Sequence, residues 1–420
     1  MIKEPRIQLN HLVSSLSAAV DLVSPVLVNH HKQVAYTSFC LASELGIPME
    51  EKSELVLAGL LHDIGAVSLK DRMDYLRFEL EIPHQHSRLG YFLLRIFEPL
   101  SNVSKLIKYH HVFYEDGKGL EFEGNPVPKG SHILHLADRI SVLFKFGISP
   151  LSQAQGIVDS IVSQDNRMFM PELTEAFRKV ATRESFWLDL GSNNIAEFLQ
   201  RRVRYRTIEL DTEGLLKIGN IFRRIIDFRS PFTATHSSGV AASGKALGKL
   251  AHFSWSECRM LKIAGFLHDL GKLAVPTEIL EKTGPLTKEE FNVVKAHTFF
   301  TYRVLESIED LNTITSWGAF HHERLDGSGY PFHLGSENLH LGARIMAVAD
   351  VFTAITEDRP YRKGMTSESA LKVLIGMAKS KSLDGDLVEL LKENYDEMNS
   401  IRNDAQADSI NEYREFWSQL

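Results

Sequence analysis

Seven side chains in the second half of the chain, His236, His268, Asp269, His297, His321, His322 and Asp350, are nitrogen or oxygen donors, and none is a thiolate. Paired imidazoles are poor core filler and poor turn formers. The run His321-His322-Glu323-Arg324-Leu325-Asp326-Gly327-Ser328-Gly329-Tyr330-Pro331 is therefore a costly stretch for a loop with only a structural task. Seven donors exceed what one tetrahedral zinc takes, but they suit two six-coordinate ions that share a bridging carboxylate and a bridging water. Asp269 is the expected bridge, since it adjoins a histidine ligand and can offer one oxygen to each ion. The mixed donor set favours Fe or Mn over Ca, which prefers oxygen alone. Two ions about 3.5 to 4 Å apart lower the pKa of a bridging water and neutralise phosphate charge, so phosphoester hydrolysis is the expected chemistry.

Other residues around these donors suit a phosphorylated substrate. Lys272, one helical turn beyond His268, would point a cation toward the same site, and Arg359 and Arg362 of the run Arg-Pro-Tyr-Arg can grip phosphate oxygens. The Tyr330 ring can stack on a base. Each has a plainer reading beside it. The two arginines can be solvated or pair with Glu357 and Asp358, and Tyr330 before Pro331 can simply close a turn. The lone histidines His252, His333 and His340 read as surface or satisfied core residues.

The spacing of the histidines exposes an internal duplication. His30 lies 32 residues before His62-Asp63, and His236 lies 32 before His268-Asp269. His86 precedes His110-His111 by 24 residues, and His297 precedes His321-His322 by 24. Asp138 follows His111 by 27, and Asp350 follows His322 by 28. At an offset of 206, Glu51, Leu55, Ala58, Gly59, Leu61, His62, Asp63 and Gly65 match Glu257, Leu261, Ala264, Gly265, Leu267, His268, Asp269 and Gly271. Identities at Leu55, Ala58-Gly59 and His62 recur at the spacing of one helix face. The expected division is residues 1–205 and 206–420, and His30, His62, Asp63, His86, His110, His111 and Asp138 form a second candidate metal set.

The elements that must position these donors read as helices. Helical apolar spacing covers residues 52–64, 256–270, 288–307 and 344–356, whereas 115–130 and 310–335, rich in Gly, Pro, Asn and Asp, read as loops. The expected fold is all-α, with histidines projected from several helices toward a common core. The basic run 201–206 reads as a solvated or interdomain helix face.

Composition sets the outer limits. Charged residues are 24% and hydrophobic residues 44% of 420, values of a globular chain long enough for two or three domains. A net charge of -7 argues against coating a nucleic-acid polymer or an anionic membrane. Cys40 and Cys258 allow neither a disulfide framework nor a cysteine-rich zinc cluster, which fits a reducing cytoplasm. The apolar residues between 12 and 28 are interrupted by Asp21 and Pro25, and no run approaches a membrane span. A cytoplasmic location without membrane contact is expected.

From about residue 222 to 365, the chain resembles the HD-GYP family, a branch of the HD metal-dependent phosphohydrolases whose members are bacterial cyclic-dinucleotide phosphodiesterases. The resemblance rests on His-Asp-Leu-Gly-Lys at 268–272, His-His-Glu-Arg-Leu-Asp-Gly-Ser-Gly-Tyr-Pro at 321–331, Ala-Asp-Val at 349–351 and Arg-Pro-Tyr-Arg at 359–362. It implies metal ligation by the seven donors, and substrate contact by Lys272, Tyr330, Arg359 and Arg362. It further implies attack of a metal-bridging hydroxide on a 3′,5′-cyclic dinucleotide, either cyclic di-GMP or 3′,3′-cyclic GMP-AMP, giving the linear dinucleotide. Three-metal members carry a Glu where this chain has Phe232, so two metals are expected. Thr301 stands in place of a usual Gly, and Thr353 in place of a common acidic residue. The first half resembles an HD domain without the Gly-Tyr-Pro loop, with Ala66 in place of the Lys and Val112-Phe113-Tyr114-Glu115-Asp116-Gly117 in place of the loop. It is expected to be inactive on cyclic dinucleotides and to serve as a regulatory or structural partner of the catalytic half. Two other readings stand beside phosphodiesterase: a receptor that binds a cyclic dinucleotide or a partner protein without turnover, and an HD phosphohydrolase acting on mononucleotides.

Overall fold

The computed structural model describes residues 4–21, 29–66, 84–229, 233–358 and 362–419, so Phe232 and Arg359 lie outside the described residues. The fold is all-α, as the apolar periodicity predicts. Apart from isolated bridges, the strands among the described residues form two short antiparallel pairs, β1 (Ile7–Gln8) with β4 (Glu209–Leu210) and β2 (Glu121–Phe122) with β3 (Asn125–Pro126). No described helix is long and apolar enough to cross a membrane.

The chain divides into two compact units, residues 9–208 and residues 1–8 with 209–419. A division at residue 205 would assign the first eight residues to the first unit, but the β1–β4 pair draws them into the second.

The first unit contains α1 (Leu9–Asp21), α2 (His30–Glu44), α3 (Met49–Leu61), α4 (His84–Leu94), α5 (Ser101–Lys108), α6 (Lys129–Leu143), α7 (Pro150–Val162), α8 (Pro171–Ala181), α9 (Glu184–Leu190) and α10 (Ile195–Arg202). The second contains α11 (Thr212–Asp227), α12 (His236–Leu250), α13 (Trp255–Leu267), α14 (Thr277–Leu280), α15 (Lys288–Glu306), α16 (Asn312–Ala319), α17 (Leu341–Thr356), α18 (Ser367–Lys379), α19 (Gly385–Glu393) and α20 (Tyr395–Trp417).

The two units solve one packing problem in one way. A Cβ on Gly265 of α13 would sit 2.5 Å from Ala241 Cα, and a Cβ on Gly59 of α3 would sit 2.6 Å from Ala35 Cα. Glycine lets α13 press against α12, and α3 against α2, which brings the histidine that opens one helix near the histidine that ends the other. Around these contacts Leu261, Ala264, Leu55 and Ala58 are fully buried.

Helix starts are chemically specified. Ser254 and Glu257 form a capping box at α13, Thr287 and Glu290 form another at α15, and the Asp211 side chain accepts from Gly214 N at α11. Four element readings need correction. Helix α13 stops at Leu267, so His268 and Asp269 fall at its end, before the 3-10 turn Leu270–Ala274. Residues 310–335 are not wholly loop, because Ile314 and Trp317, buried three apart, support α16. Within 115–130, β2 and β3 form a short hairpin and α6 begins at Lys129. In the basic run, Arg201 and Arg202 end α10 in solvent, and no helix continues through 203–206.

Candidate metal centre

All seven donors of the second half converge. His236 opens α12, His268 and Asp269 follow α13, His297 lies within α15, His321 and His322 follow α16, and Asp350 lies within α17. His236 Nε2 is 3.1 Å from Asp350 Oδ1, and His268 Nε2 is 3.2 Å from Asp269 Oδ2. On the other side, His297 Nε2 is 3.3 Å from Asp269 Oδ1 and 3.4 Å from His321 Nε2, while His322 Nδ1 is 3.9 Å from Asp350 Oδ2. Asp269 thus turns one oxygen to His268 and the other to His297. That is the arrangement a carboxylate shared between two ions requires.

The ring tautomers test whether a cation fits. His268, His297 and His321 donate Nδ1–H to the carbonyl three residues back, at Gly265 (2.8 Å), Val294 (2.6 Å) and Gly318 (2.7 Å). In the neutral ring the hydrogen is then on Nδ1, so Nε2 carries a lone pair. The Nε2 lone pairs of His297 and His321 face each other, an unfavourable contact that a cation would relieve. His268 Nε2 and Asp269 Oδ1 are buried without any hydrogen-bond partner, a cost that metal ligation would offset. The residues present therefore fit divalent ions.

Electrostatics prepare the same state. Burial, followed by the nearby His322 and His268, holds His321 well below the usual imidazole range, so the ring is neutral, the form in which an imidazole can ligate. Burial pushes the Asp269 carboxyl up, but His268 and Lys272 outweigh it and keep the group ionised. Burial likewise opposes charge on His236, but Glu357 and Asp350 outweigh it and push that ring up to about 10. A metal ion would take the place of that proton.

Lys272 sets its ammonium on Asp269 Oδ2 and keeps a fifth of its side chain exposed. Tyr330 lies beside His322, with ring centroids 5.0 Å apart, and the peptide bond from Tyr330 to Pro331 is cis. Arg362 is not brought to the cluster: its guanidinium donates to Ala354 O at 2.6 Å, at the end of α17. Of the two acids proposed as arginine partners, Glu357 faces His236 and Asp358 accepts from Gly364 N, while Arg359 lies outside the described residues. Thr301 donates to His268 O (3.0 Å) and accepts from Gly271 N (2.9 Å), so it ties α15 to the turn that bears His268 and Asp269.

Three contributors were missed in the sequence. Lys295 places Nζ 5.0 Å from the Tyr330 ring centroid, a second cation at the mouth. Glu357 meets the His236 ring, and Asp227, buried in α11, accepts from Ser237 Oγ at 2.7 Å. None stands in a recognisable motif. Lys295, two residues before His297, offered the only local signal.

The first unit gathers its seven donors as well. Asp63 Oδ2 is 3.3 Å from His62 Nε2, Asp63 Oδ1 is 3.4 Å from His86 Nε2, and Asp138 Oδ1 is 3.4 Å from His30 Nε2. His62 and His110 repeat the Nδ1 bond to the carbonyl three residues back, at Gly59 and Ile107. His62 Nε2 and Asp63 Oδ1 are the same partnerless buried atoms as in the second unit. The surroundings differ. The His322 side chain is 31% exposed, but His111 is only 2% exposed and packs on His135, which is itself stacked on Phe113. Arg139, buried, pairs with Asp138 Oδ2, whereas in the second unit Asp350 Oδ2 faces His322. Ala66 is fully buried in the place that corresponds to Lys272.

Two regions match the family description "HD domain", residues 27–143 and 220–387, which defines the class as a tandem HD-domain protein. Together they span more than half of the chain, which therefore belongs to the HD-domain family, its second half carrying the HD-GYP pattern. A "3'3'-cGAMP-specific phosphodiesterase 1" from Vibrio cholerae serotype O1 is 27% identical over 403 residues, 93% of each chain. A cyclic di-GMP phosphodiesterase from Pseudomonas aeruginosa is 42% identical over 142 residues, 34% of each chain. A solved structure described as a cyclic GMP-AMP specific phosphodiesterase in V. cholerae superposes with TM-score 0.65 at 21% identity, covering 97% of this chain and 98% of that one, which shows the shared fold.

Proposed function

We propose that the second unit is a metal-dependent phosphodiesterase that opens a 3′,5′-cyclic dinucleotide to the linear dinucleotide. The observation that carries this reading is the split of Asp269, one oxygen toward His268 and the other toward His297, at a cluster whose one part-exposed ligand adjoins Tyr330. The seven residues His236, His268, Asp269, His297, His321, His322 and Asp350 would hold two divalent ions, with Fe or Mn suited to the donor set. When bound, the ions supply a nucleophile by lowering the pKa of water and neutralise charge at phosphorus. Lys272 would serve the substrate: with Asp269 engaged as a ligand, its ammonium would be free to hold a phosphate oxygen. Tyr330 offers a ring to a base, and Lys295 adds a positive charge beside it.

Of the two dinucleotides, 3′,3′-cyclic GMP-AMP is the favoured substrate, because the V. cholerae relative named for it matches along both halves, whereas the P. aeruginosa relative named for cyclic di-GMP matches over 142 residues. The first unit, residues 9–208, has the donors for metal but neither an exposed ligand nor a counterpart of Lys272. It is a non-hydrolytic, regulatory HD unit. Turnover of both dinucleotides by the purified, metal-loaded chain tests the assignment. Parent-like hydrolysis by His268→Ala would overturn the metal mechanism, and faster turnover of cyclic di-GMP would overturn the substrate choice.

A further inference from the structure

His236 differs from its fellow ligands in how its ring is held. As the first residue of α12 it has no helical turn behind it to supply a carbonyl. The carbonyl three residues back, Thr233 O, instead accepts the His236 backbone N–H at 3.0 Å. Nδ1 of His236 therefore needs an acceptor from elsewhere, and it faces both oxygens of Glu357 at 3.2 Å. Glu357 follows α17, seven residues past Asp350, and is only 3% exposed. Its Oε2 accepts from Gln406 Nε2 of α20 at 2.9 Å, and Gln406 Oε1 accepts in turn from Arg402.

The first unit meets the same need differently. His30 also opens its helix, and its Nδ1 lies 3.0 Å from Ser141 Oγ, which donates to Gln33 Oε1 at 2.9 Å. Ser141 stands three residues after Asp138, where the second unit has Thr353 three residues after Asp350. Thr353 Oγ1 is buried and has no hydrogen-bond partner. The hydrolytic unit thus uses a carboxylate where its silent copy uses a neutral hydroxyl. A carboxylate behind a metal-bound imidazole fixes the tautomer and strengthens the ring as a donor.

We infer that Glu357 is a positioning residue of the hydrolytic centre: it holds His236 with Nε2 directed at the ion shared with His268 and Asp350, and Gln406 makes the C-terminal helix α20 part of that support. This inference rests on the metal reading given above. Its test uses the full chain and Mn2+, comparing the parent with Glu357→Gln, Glu357→Ala and Gln406→Leu. The readouts are metal stoichiometry by mass spectrometry, affinity by competition with a fluorescent chelator, and melting of the metal-free proteins. In Glu357→Ala one second-unit ion should bind about 10–100-fold more weakly while its neighbour keeps parental affinity. Excess Mn2+ should then restore turnover. Glu357→Gln, equal in volume and still able to accept from Nδ1–H, should fall between, and Gln406→Leu should shift in the same direction by less. Parental affinity in folded Glu357→Ala and Glu357→Gln, or equal weakening of both ions, would overturn the inference. A parent chain that binds no metal would instead remove the hydrolytic reading on which it rests.

Discussion

Replacing Lys272 by Met separates the ion pair that Lys272 makes with Asp269 from the phosphate contact proposed for it. Without metal, Lys272 is the counter-ion of Asp269 and helps keep that buried carboxylate ionised. With metal, the same ammonium becomes a like-charge neighbour of the ion on Asp269. Two unit charges 4 Å apart interact by about 1 kcal/mol at the dielectric of water and by about 4 kcal/mol near a protein surface. A divalent ion doubles this, and even the water limit gives about 2 kcal/mol, so Lys272→Met should tighten metal binding at least roughly thirtyfold. Catalysis should move the other way. A hydrogen bond from a charged donor to phosphate contributes about 1.5 to 3 kcal/mol, so kcat/KM should fall by about 10- to 150-fold. Steady-state hydrolysis at saturating Mn2+, with metal affinity measured on the same preparation, reads both quantities. Weaker metal binding, or an unchanged kcat/KM, would refute the assignment and leave Lys272 as a structural counter-ion only.

Other predictions concern the support of the site. Thr301→Val should leave Gly271 N–H buried without its acceptor and destabilise the chain by about 1 to 3 kcal/mol in urea unfolding. Burial pushes the Asp227 carboxyl up to about 6, against the pull of Arg223. The metal-free folded chain then keeps a proton there that the unfolded chain releases near pH 4. Its contribution is therefore fully present below about pH 4 and is lost as pH rises through about 6. Metal-free Asp227→Asn should escape this loss and gain up to about 3 kcal/mol over the parent at pH 7 relative to pH 4, as read by paired urea melts.

The histidine spacings made the duplication legible, because a ligand set must recur in order whatever the loops between do. They also gave the donors of each cluster, since each histidine at a helix start or end brings its register with it. What spacing could not supply was the support behind the donors. Glu357 reads locally as a neighbour of the Arg-Pro-Tyr-Arg run, and nothing in that run points to His236, 121 residues earlier, or to Gln406, 49 residues later, both of which it meets. Such pairs depend on how α12, α17 and α20 pack, and no periodicity within one helix encodes that. The position of Arg362 was illegible for a related reason. A motif fixes which residue is present, but the carbonyls left open at the end of α17 compete for its guanidinium.

The duplicated unit supplies an internal control for what hydrolysis needs beyond donors. Both units present carboxylates split between two histidine groups, and both leave the same two ligand atoms buried without partners. If donors sufficed, both would hydrolyse. The first unit, however, covers His111, holds Asp138 Oδ2 with Arg139 and has Ala66 opposite the place of Lys272. A closed donor set suits a structural ion, and an open one suits a reacting ion. Asp269→Ala should therefore abolish turnover in the full chain while metal remains in the first unit, and a further His62→Ala should remove that residual metal. Residual hydrolysis in Asp269→Ala that disappears with His62→Ala would show the first unit to be catalytic, and exposure of the ligands would then not be what separates the two copies.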